Sequence, residues 1–500
     1  MRYKTFTIIT LYWGITGMLC AQPPNYPFPN HTTYAGDYMQ PNQYTQEELD
    51  QHTASFYEEW RDSYLANDCN PEEYYIKYRS DANTVSEAHG YGMMIMVYMA
   101  GYDDNAQLYF DGLYKYYQSH PSQVNHHLMD WQQITCNDLV SSGDGSATDG
   151  DLDIAFALLL AHAQWGNGGA IDYLDQAKLI LDAILKYEIN PISHSILLGD
   201  WSTATNSQYY FGTRTSDFLI DHFRTFVCYS NEKAWTKVMN TCFSIISEIQ
   251  EKHSSSTGLL PDFVIDVNQN PSPATAGFLE GDYDGHYYYN ACRDPWRLGT
   301  DYLVSGDLRS RKAVLKINDW LRTSTGGAIN KISNGYLLDG TPIYTWNDAT
   351  FTAPFAVGAM LGNDQQWLNN LYDEVYQNNG IGRGDYYSHT ISLLSRMTLS
   401  GNYWIPGCNI SVLSKDSPAN SNFTISPVPF TDSIYLRWSS KKNFKSAYAS
   451  IYFIDGKLLQ NISVSSPFQQ IHMTSLKAGT YLLIVYASSE WFEIHKLQKL

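Results

Sequence analysis

Five hundred residues exceed what one ordinary hydrophobic core organises, so the chain is expected to divide into at least two parts unless a large closed architecture holds most of it. A hydrophobic content of 44% with only 17% charged residues describes a globular protein, while 15% aromatic residues, forty of them Tyr, exceed what a core demands and point to exposed stacking surfaces. The formal charge of −19 argues against nucleic acid or anionic lipid as partners and leaves either a polycationic ligand or plain solubility as the meaning of the acidity.

The chain opens "MRYKTFTIITLYWGITGMLCAQPPNYPF". Arg2 and Lys4, an apolar run from Phe6 to Cys20, and Ala21 before a Pro-rich stretch read as a signal peptide over residues 1–21, too short to span a bilayer. A lipoprotein reading would modify Cys20, but Leu19 is bulkier than the residue such a site needs. No other segment is apolar and long enough to cross a membrane, so an exported chain without membrane insertion is expected. Residues 22–408 form the next unit. Within 46–401 apolar residues recur at helical spacing, broken by Gly, Pro and Asn, and predict twelve helices. They lie near 46–65, 85–101, 106–119, 151–165, 171–188, 213–228, 231–254, 291–305, 307–322, 350–361, 364–378 and 385–400. In "DLDIAFALLLAHAQWG", Ile154, Leu158, Ala161 and Trp165 share a face and Gly166 supplies the stop. A dozen helices joined by unequal loops suggest inner and outer partners closing into a ring, with a cleft lined by the loops at one end.

Residues 409–422, "NISVLSKDSPANSN", have linker composition. From 423 to 500 short β-type runs such as "SIYLRWS", "SAYASIYFIDGK" and "GTYLLIVYA" alternate with turns and predict a small all-β sandwich. Beyond Cys20, the cysteines at 69, 136, 228, 242, 292 and 408 lack paired zinc-ligand spacing, so no metal site is implied; free buried thiols are expected.

Four stretches could carry chemistry. "TVSEAHGYGMMIMVYMAG" places Glu87 at the start of an apolar helix, where a first-turn acid is ordinary dipole complementation. The small residues Ala88, Gly90 and Gly92, however, allow close approach there, and His89 and Tyr91 are poor choices for a buried seam. "SATDGDLDIA" sets Asp149, Asp151 and Asp153 at alternate positions. The helix-loop-helix calcium pattern fails, because Ile154 and Leu160 occupy the places of its Gly and Glu. Mutual repulsion predicts that at least one of the three meets a ligand or keeps its proton. "DWSTATNSQYYFGTRTSDFLIDHFRTF" gathers Trp201, Tyr209, Tyr210, Arg214, Ser216, Asp217 and His222, with no nucleophile elbow and no phosphate loop. "FLEGDYDGHYYYNACRDPWR" packs acids, three tyrosines and two arginines around Asn290.

Taken together, "SEAHGYGM", "ATDGDLDIAFALLLAHAQW", "TRTSDFLIDHFRTF", "NACRDPWRLGTDYL" and "LLSRMTLSGNYW" resemble, in order, the segments of glycoside hydrolase family 8 over about residues 35–405. The resemblance implies an (α/α)6 barrel and hydrolysis of β-1,4-linked glycans with inversion, which needs one carboxylic acid for the leaving oxygen and one carboxylate to activate water. Glu87 matches the family's acid. Asp149 matches the acid that contacts the sugar at the cut, with Asp151 assisting in substrate binding. Where the largest subgroup has an Asp base, this chain has Asn290, and an amide cannot accept the proton. In a chitosanase- and lichenase-containing subgroup a Glu on the preceding loop is the base, and Glu280 matches it, with Asp282, Asp284 and Asp294 as fallbacks. Trp131 in "HHLMDWQQ" resembles a sugar-stacking position, with Trp201, Tyr209 and Trp296 as weaker candidates, and Arg214 and Arg293 resemble positions that orient the acids.

"SPVPFTDSI", "IYFIDGKLL", "LKAGTYLLIVYA" and "HKLQKL" resemble the C-terminal sorting domain of proteins exported by the type IX secretion system. The combined expectation is a secreted or cell-surface endo-β-1,4-glycanase, monomeric and without cofactor, acting on chitosan, lichenan or cellulose. The acidic charge leans toward chitosan. A non-catalytic glycan-binding protein on a decayed barrel is the alternative.

Overall fold

Twelve helices of at least eleven residues stand among the described residues where the spacing predicts them. They are α1 (Gln46–Tyr64), α2 (Ser86–Tyr98), α3 (Ala106–Ser119), α4 (Thr148–Trp165), α5 (Tyr173–Tyr187), α6 (Ile220–Ser230), α7 (Ala234–Lys252), α8 (Asp294–Ser305), α9 (Leu308–Thr325), α10 (Ala349–Ala359), α11 (Gln365–Gln377) and α12 (Tyr386–Leu399). The structure is a computed structural model that describes residues 23–407 apart from 79–83, 135–144, 206, 231 and 378–384, and residues 423–499 apart from 439–446, 454–457, 465, 467, 475 and 488–491. The expected signal peptide (1–21), the linker (409–422), Cys20, Cys136 and Cys408 lie outside the described residues.

Burial alternates along the chain. The even-numbered helices are buried on nearly every side, as the continuous apolar run "MMIMVY" of α2 requires, whereas the odd-numbered ones bury a single stripe. On α1 that stripe is Leu49, Phe56, Tyr57 and Trp60, and a Thr45–Glu48 capping box fixes its start. Each even helix touches the next, and α12 returns to α2, so six inner helices close a ring inside six outer ones. This is an (α/α)6 barrel.

Two helices begin later than their periodicity suggests. Before α6, Thr213–Arg214 pairs as a strand with Phe263–Ile265, which in turn pairs with Ser272–Pro273, and Thr215–Asp217 makes a tight turn. Cross-strand hydrogen bonds to a distant segment outcompete the local helix there. Before α8, Ala291–Arg293 forms a 3₁₀ turn and Pro295 then occupies the first turn of the helix, a position where a missing N–H costs nothing.

Among its described residues the C-terminal part has seven antiparallel strands, β1 (Phe423–Ser426), β2 (Ser433–Trp438), β3 (Ala447–Phe453), β4 (Leu458–Val464), β5 (Phe468–His472), β6 (Gly479–Ala487) and β7 (Phe492–Lys499). They form sheets of order β4-β3-β6-β7 and β5-β2-β1 over a core including Phe430, Leu436, Ile451, Leu483 and Val485. Among the described helices none is long and apolar enough to cross a membrane. The cysteine expectation holds for Cys242 and Cys292, which are free and buried, and is corrected for Cys69 and Cys228, which are in disulfides.

Candidate active site

The site lies at the N-terminal ends of the inner helices, where helix dipoles favour carboxylates. Glu87 is in the first turn of α2 and Asp149 in the first turn of α4. Two glycines allow these helices to cross in near contact. A Cβ at Gly90 would stand 2.5 Å from the Asp153 Cβ, and one at Gly150 would stand 2.6 Å from the Ser86 carbonyl carbon. The small residues of "EAHGYG" and "TDGD" therefore bring the two acids to one place. His89 and Tyr91, expected to avoid a buried seam, are both fully buried. His89 stacks on Tyr116, and burial with the neighbouring His120 pushes its pKa down to about 3, so it is a neutral core imidazole. The Tyr91 hydroxyl accepts from Arg293 at 3.0 Å and Arg297 at 3.3 Å.

Arg293 is the centre of the constellation. Its Nη1 donates to Glu87 Oε2 at 2.8 Å and to Asp149 Oδ2 at 3.3 Å, and its Nη2 donates to Ser216 Oγ at 2.8 Å and Asn290 Oδ1 at 2.9 Å. Arg214 reaches Asp149 at 3.0 Å, Asp217 at 3.8 Å and Glu280 at 3.5 Å. The two acids respond oppositely. Burial pushes Glu87 up to about 7, with Asp149 adding to the rise and Arg293 only partly opposing it. Burial would also raise Asp149, but the Arg214 and Arg293 guanidiniums hold it below the usual carboxylate range. One site thus contains a carboxyl that keeps its proton near neutrality and a carboxylate that stays charged, the division of roles acid catalysis requires.

Asn290 explains itself through its partners. Its amide nitrogen donates to Glu280 Oε2 at 2.8 Å and to Asp262 Oδ2 at 3.3 Å, while its oxygen accepts from Arg293. An Asp in this place would set a third carboxylate against two others. Beneath it, Asp262 accepts from the backbone N–H groups of Tyr288 at 2.9 Å, Asn290 at 3.1 Å and Ala291 at 2.7 Å, and burial pushes its pKa up to about 7. Glu280 sits above, its side chain 49% exposed, on a loop tied by Asp284, which accepts from the N–H groups of Leu279, Glu280 and Gly281. The fallback Asp284 is therefore a loop clamp. Asp294, 1% exposed with its pKa pushed well up by burial, is a core group, and Asp282 is exposed beside the loop.

Two sequence-derived substrate contacts are corrected. Asp151 is fully buried and accepts from Met129 N at 2.8 Å, so it positions the chain leading to Trp131 rather than touching sugar. Burial, with Glu188 and Asp200 beside it, drives Asp151 well up, and burial drives Glu188 to about 8, so the pair retains a proton; the acids that raise Asp151 are these two, not its sequence neighbours Asp149 and Asp153. Asp153 is consumed by Arg297 at 2.7 Å and His222 at 2.9 Å. Trp296 is 2% exposed under Arg297 and belongs to the core. Trp131 is 37% exposed, and its carbonyl accepts from Ser86 N next to Glu87. Trp201 and Tyr209 are half-buried; Trp201 packs edge-on to Tyr209 and Tyr209 on Phe278, in the small cluster beneath the loop that bears Glu280. Asp262 was not singled out from sequence, and Tyr91 and Ser216 were noted there without a role in the site. In "LLPDFV" Asp262 reads as a turn residue after Pro, and no local signal could distinguish it. Among the described residues no group of three or more His, Cys, Asp or Glu side chains is arranged to hold a metal ion.

The sequence profile of Glycosyl hydrolases family 8 matches residues 45–400, and that of the Secretion system C-terminal sorting domain matches 424–499. A beta-glucanase of Niallia circulans is 43% identical over 382 residues, 76% of this chain and 92% of its own length. An endoglucanase of Bacillus sp. strain KSM-330 is 37% identical over 392 residues, 76% of this chain and 82% of its own. Among solved structures, a beta-1,3-1,4-glucanase from Paenibacillus sp. X4 superposes with TM-score 0.73 at 43% identity, covering 76% of this chain and all of that one. Rex8A of Paenibacillus barcinonensis shares the fold, with TM-score 0.62 at 21% identity over 75% of this chain and 98% of that one.

Proposed function

Because the chain belongs to glycoside hydrolase family 8 and carries a type IX sorting domain that marks it for secretion or the cell surface, we propose that it is an exported inverting endo-hydrolase of mixed-linkage β-glucan. Glu87 donates its proton to the leaving glycosidic oxygen, and Glu280 takes a proton from the water that attacks the opposite face of the sugar. The observation that carries this reading is the Glu87–Arg293–Asn290–Glu280 chain of hydrogen bonds. A guanidinium and an amide stand between the two carboxyls and hold them apart, and inversion needs such a separation to admit the attacking water. Asp149, held charged by Arg214 and Arg293, binds the sugar at the cut and stabilises the positive charge that develops on its ring. The raised pKa of Glu87 keeps the acid loaded at working pH, while Asp262 and Asn290 fix the direction of Glu280.

The substrate follows from the relatives, two of which are named for β-glucan, and from the balance of charge at the cut, where Arg214 and Arg293 offset the acids. Chitosan, favoured by the overall charge of −19, is the informative comparison. Reducing-sugar release is measured side by side on lichenan, carboxymethylcellulose, chitosan and xylan, with the anomer of the first product followed by NMR. Release from lichenan with the inverted anomer is expected. Activity confined to chitosan overturns the substrate, and a retained anomer overturns the mechanism.

A further inference from the structure

Two tryptophans stand among the exposed large side chains, Trp131 at 37% beside the acid and Trp346 at 49%, and the second has no part in the chemistry above. Trp346 begins a continuous aromatic run. Its ring centroid is 5.3 Å from that of Tyr344, at 34°, and the Tyr344 hydroxyl lies 2.8 Å from that of Tyr288. Tyr288 in turn packs on Tyr283 at 4.9 Å and Tyr289 at 4.7 Å, and Tyr289 directly precedes Asn290, the partner of Glu280. The run therefore leads from the residues beside the base outward to an open indole. It is built on pinned backbone. Asn334 N donates to Trp346 O at 3.0 Å, Ile343 N to Gly335 O at 3.0 Å and Tyr344 N to Ser333 Oγ at 2.9 Å, while Tyr336 and Tyr287 exchange backbone hydrogen bonds. Gly335, at φ +117, is required, since a Cβ there would stand 2.8 Å from the Tyr288 ring. A rigid backbone that presents a half-exposed indole loses little entropy on binding, and this distinguishes a platform from an incidental surface residue.

We propose that Trp346, with Tyr344 at its edge, is an outlying subsite that stacks one glucose unit of the β-glucan chain beyond those at the cut. This rests on the proposed activity for the identity of the ligand. A β-linked glucose unit carries its hydroxyls equatorially and offers an axial C–H face to the indole, and the Tyr344 hydroxyl can hydrogen-bond the ring's rim. The subsite contributes affinity only for chains long enough to reach it, so its signature is a dependence on length.

Binding of mixed-linkage glucan oligosaccharides of three to seven units is measured by calorimetry in a Glu87→Gln background, with and without Trp346→Ala and Trp346→Phe, alongside hydrolysis of lichenan by the unaltered chain. The alanine variant is expected to bind the longest oligosaccharide about tenfold more weakly, the order of one lost aromatic stack. The phenylalanine variant should fall between, and the deficit should shrink as the ligand shortens. Equal affinity for all three proteins at every length, or a deficit independent of length, overturns the subsite. Failure of the unaltered chain to hydrolyse lichenan overturns the proposed function instead, whatever the binding series shows.

Discussion

Replacing Asn290 with Asp swaps two N–H donors for a charge 2.8 Å from Glu280 and 3.3 Å from Asp262, while Arg293 remains 2.9 Å away. At an effective dielectric near 20, the repulsions amount to about 6 and about 5 kcal/mol and the attraction to Arg293 to about 6 kcal/mol. Solvent screening of Glu280, whose side chain is 49% exposed, reduces its share, leaving a net penalty of about 2–4 kcal/mol. The variant escapes it by keeping one more proton in the cluster. At about 1.4 kcal/mol per pKa unit, one carboxyl of the cluster titrates about 1.5–3 units higher, so the carboxylate needed to activate water is depleted progressively as pH falls below neutrality. Reducing-sugar release from lichenan between pH 5 and 8 should show that loss, least at the alkaline end. Glu280→Gln alone should cost about 10²–10⁴ in turnover, the range of a lost general base. Combining it with Asn290→Asp removes one repelling charge and returns a carboxylate where the larger subgroup carries its base, so the double variant should outpace Glu280→Gln. An Asn290→Asp protein with unaltered turnover and pH profile refutes the amide bridge, and a Glu280→Gln protein near full activity refutes the base.

Three further outcomes follow from the geometry. With burial holding the Glu87 carboxyl at about 7, kcat/KM should fall as pH rises through that value; a rate flat to pH 9 would remove Glu87 as the acid. Gly150→Ala places a methyl 2.6 Å from the Ser86 carbonyl carbon, so α2 and α4 must part at a cost of about 1–3 kcal/mol; calorimetry should show a lower Tm together with a fall in kcat, and an unchanged Tm contradicts the close crossing. Glu188 is raised from 4.5 to about 8, so the folded chain holds a proton that the unfolded chain releases between those values, and its contribution to stability is lost as pH climbs through that window. Glu188→Gln, which still accepts from Ser146, should lose less Tm than the unaltered chain between pH 5 and 8.5, and parallel Tm curves would refute the retained proton.

Helix positions were readable because burial of one face imposes a 3.6-residue period on the outer helices, and the wholly apolar "MMIMVY" marks an inner one. The exceptions share a cause. Thr213–Arg214 and Ala291–Arg293 look like helix starts by local pattern, yet one is claimed by a strand 50 residues away and the other tightens into a 3₁₀ turn before Pro295. Trp296, set in an acid-rich stretch, looks like a sugar platform and is a core residue beneath Arg297, because composition says nothing about which way a ring points.

The sequence by itself determined the period of the helices, the two-part layout, and the ordered motifs that name Glu87, Asp149 and Glu280 as a set. Only the tertiary structure decided what each charge meets. Asp149, Asp151 and Asp153 are two residues apart and alike in sequence, yet one pairs with Arg214 and Arg293, one shares a proton with Glu188, and one is locked to Arg297 and His222. Asn290 reads as a missing base until Asp262, 28 positions upstream, appears beneath it. A carboxylate's role follows from its local field and burial, and residues far apart in the chain supply both.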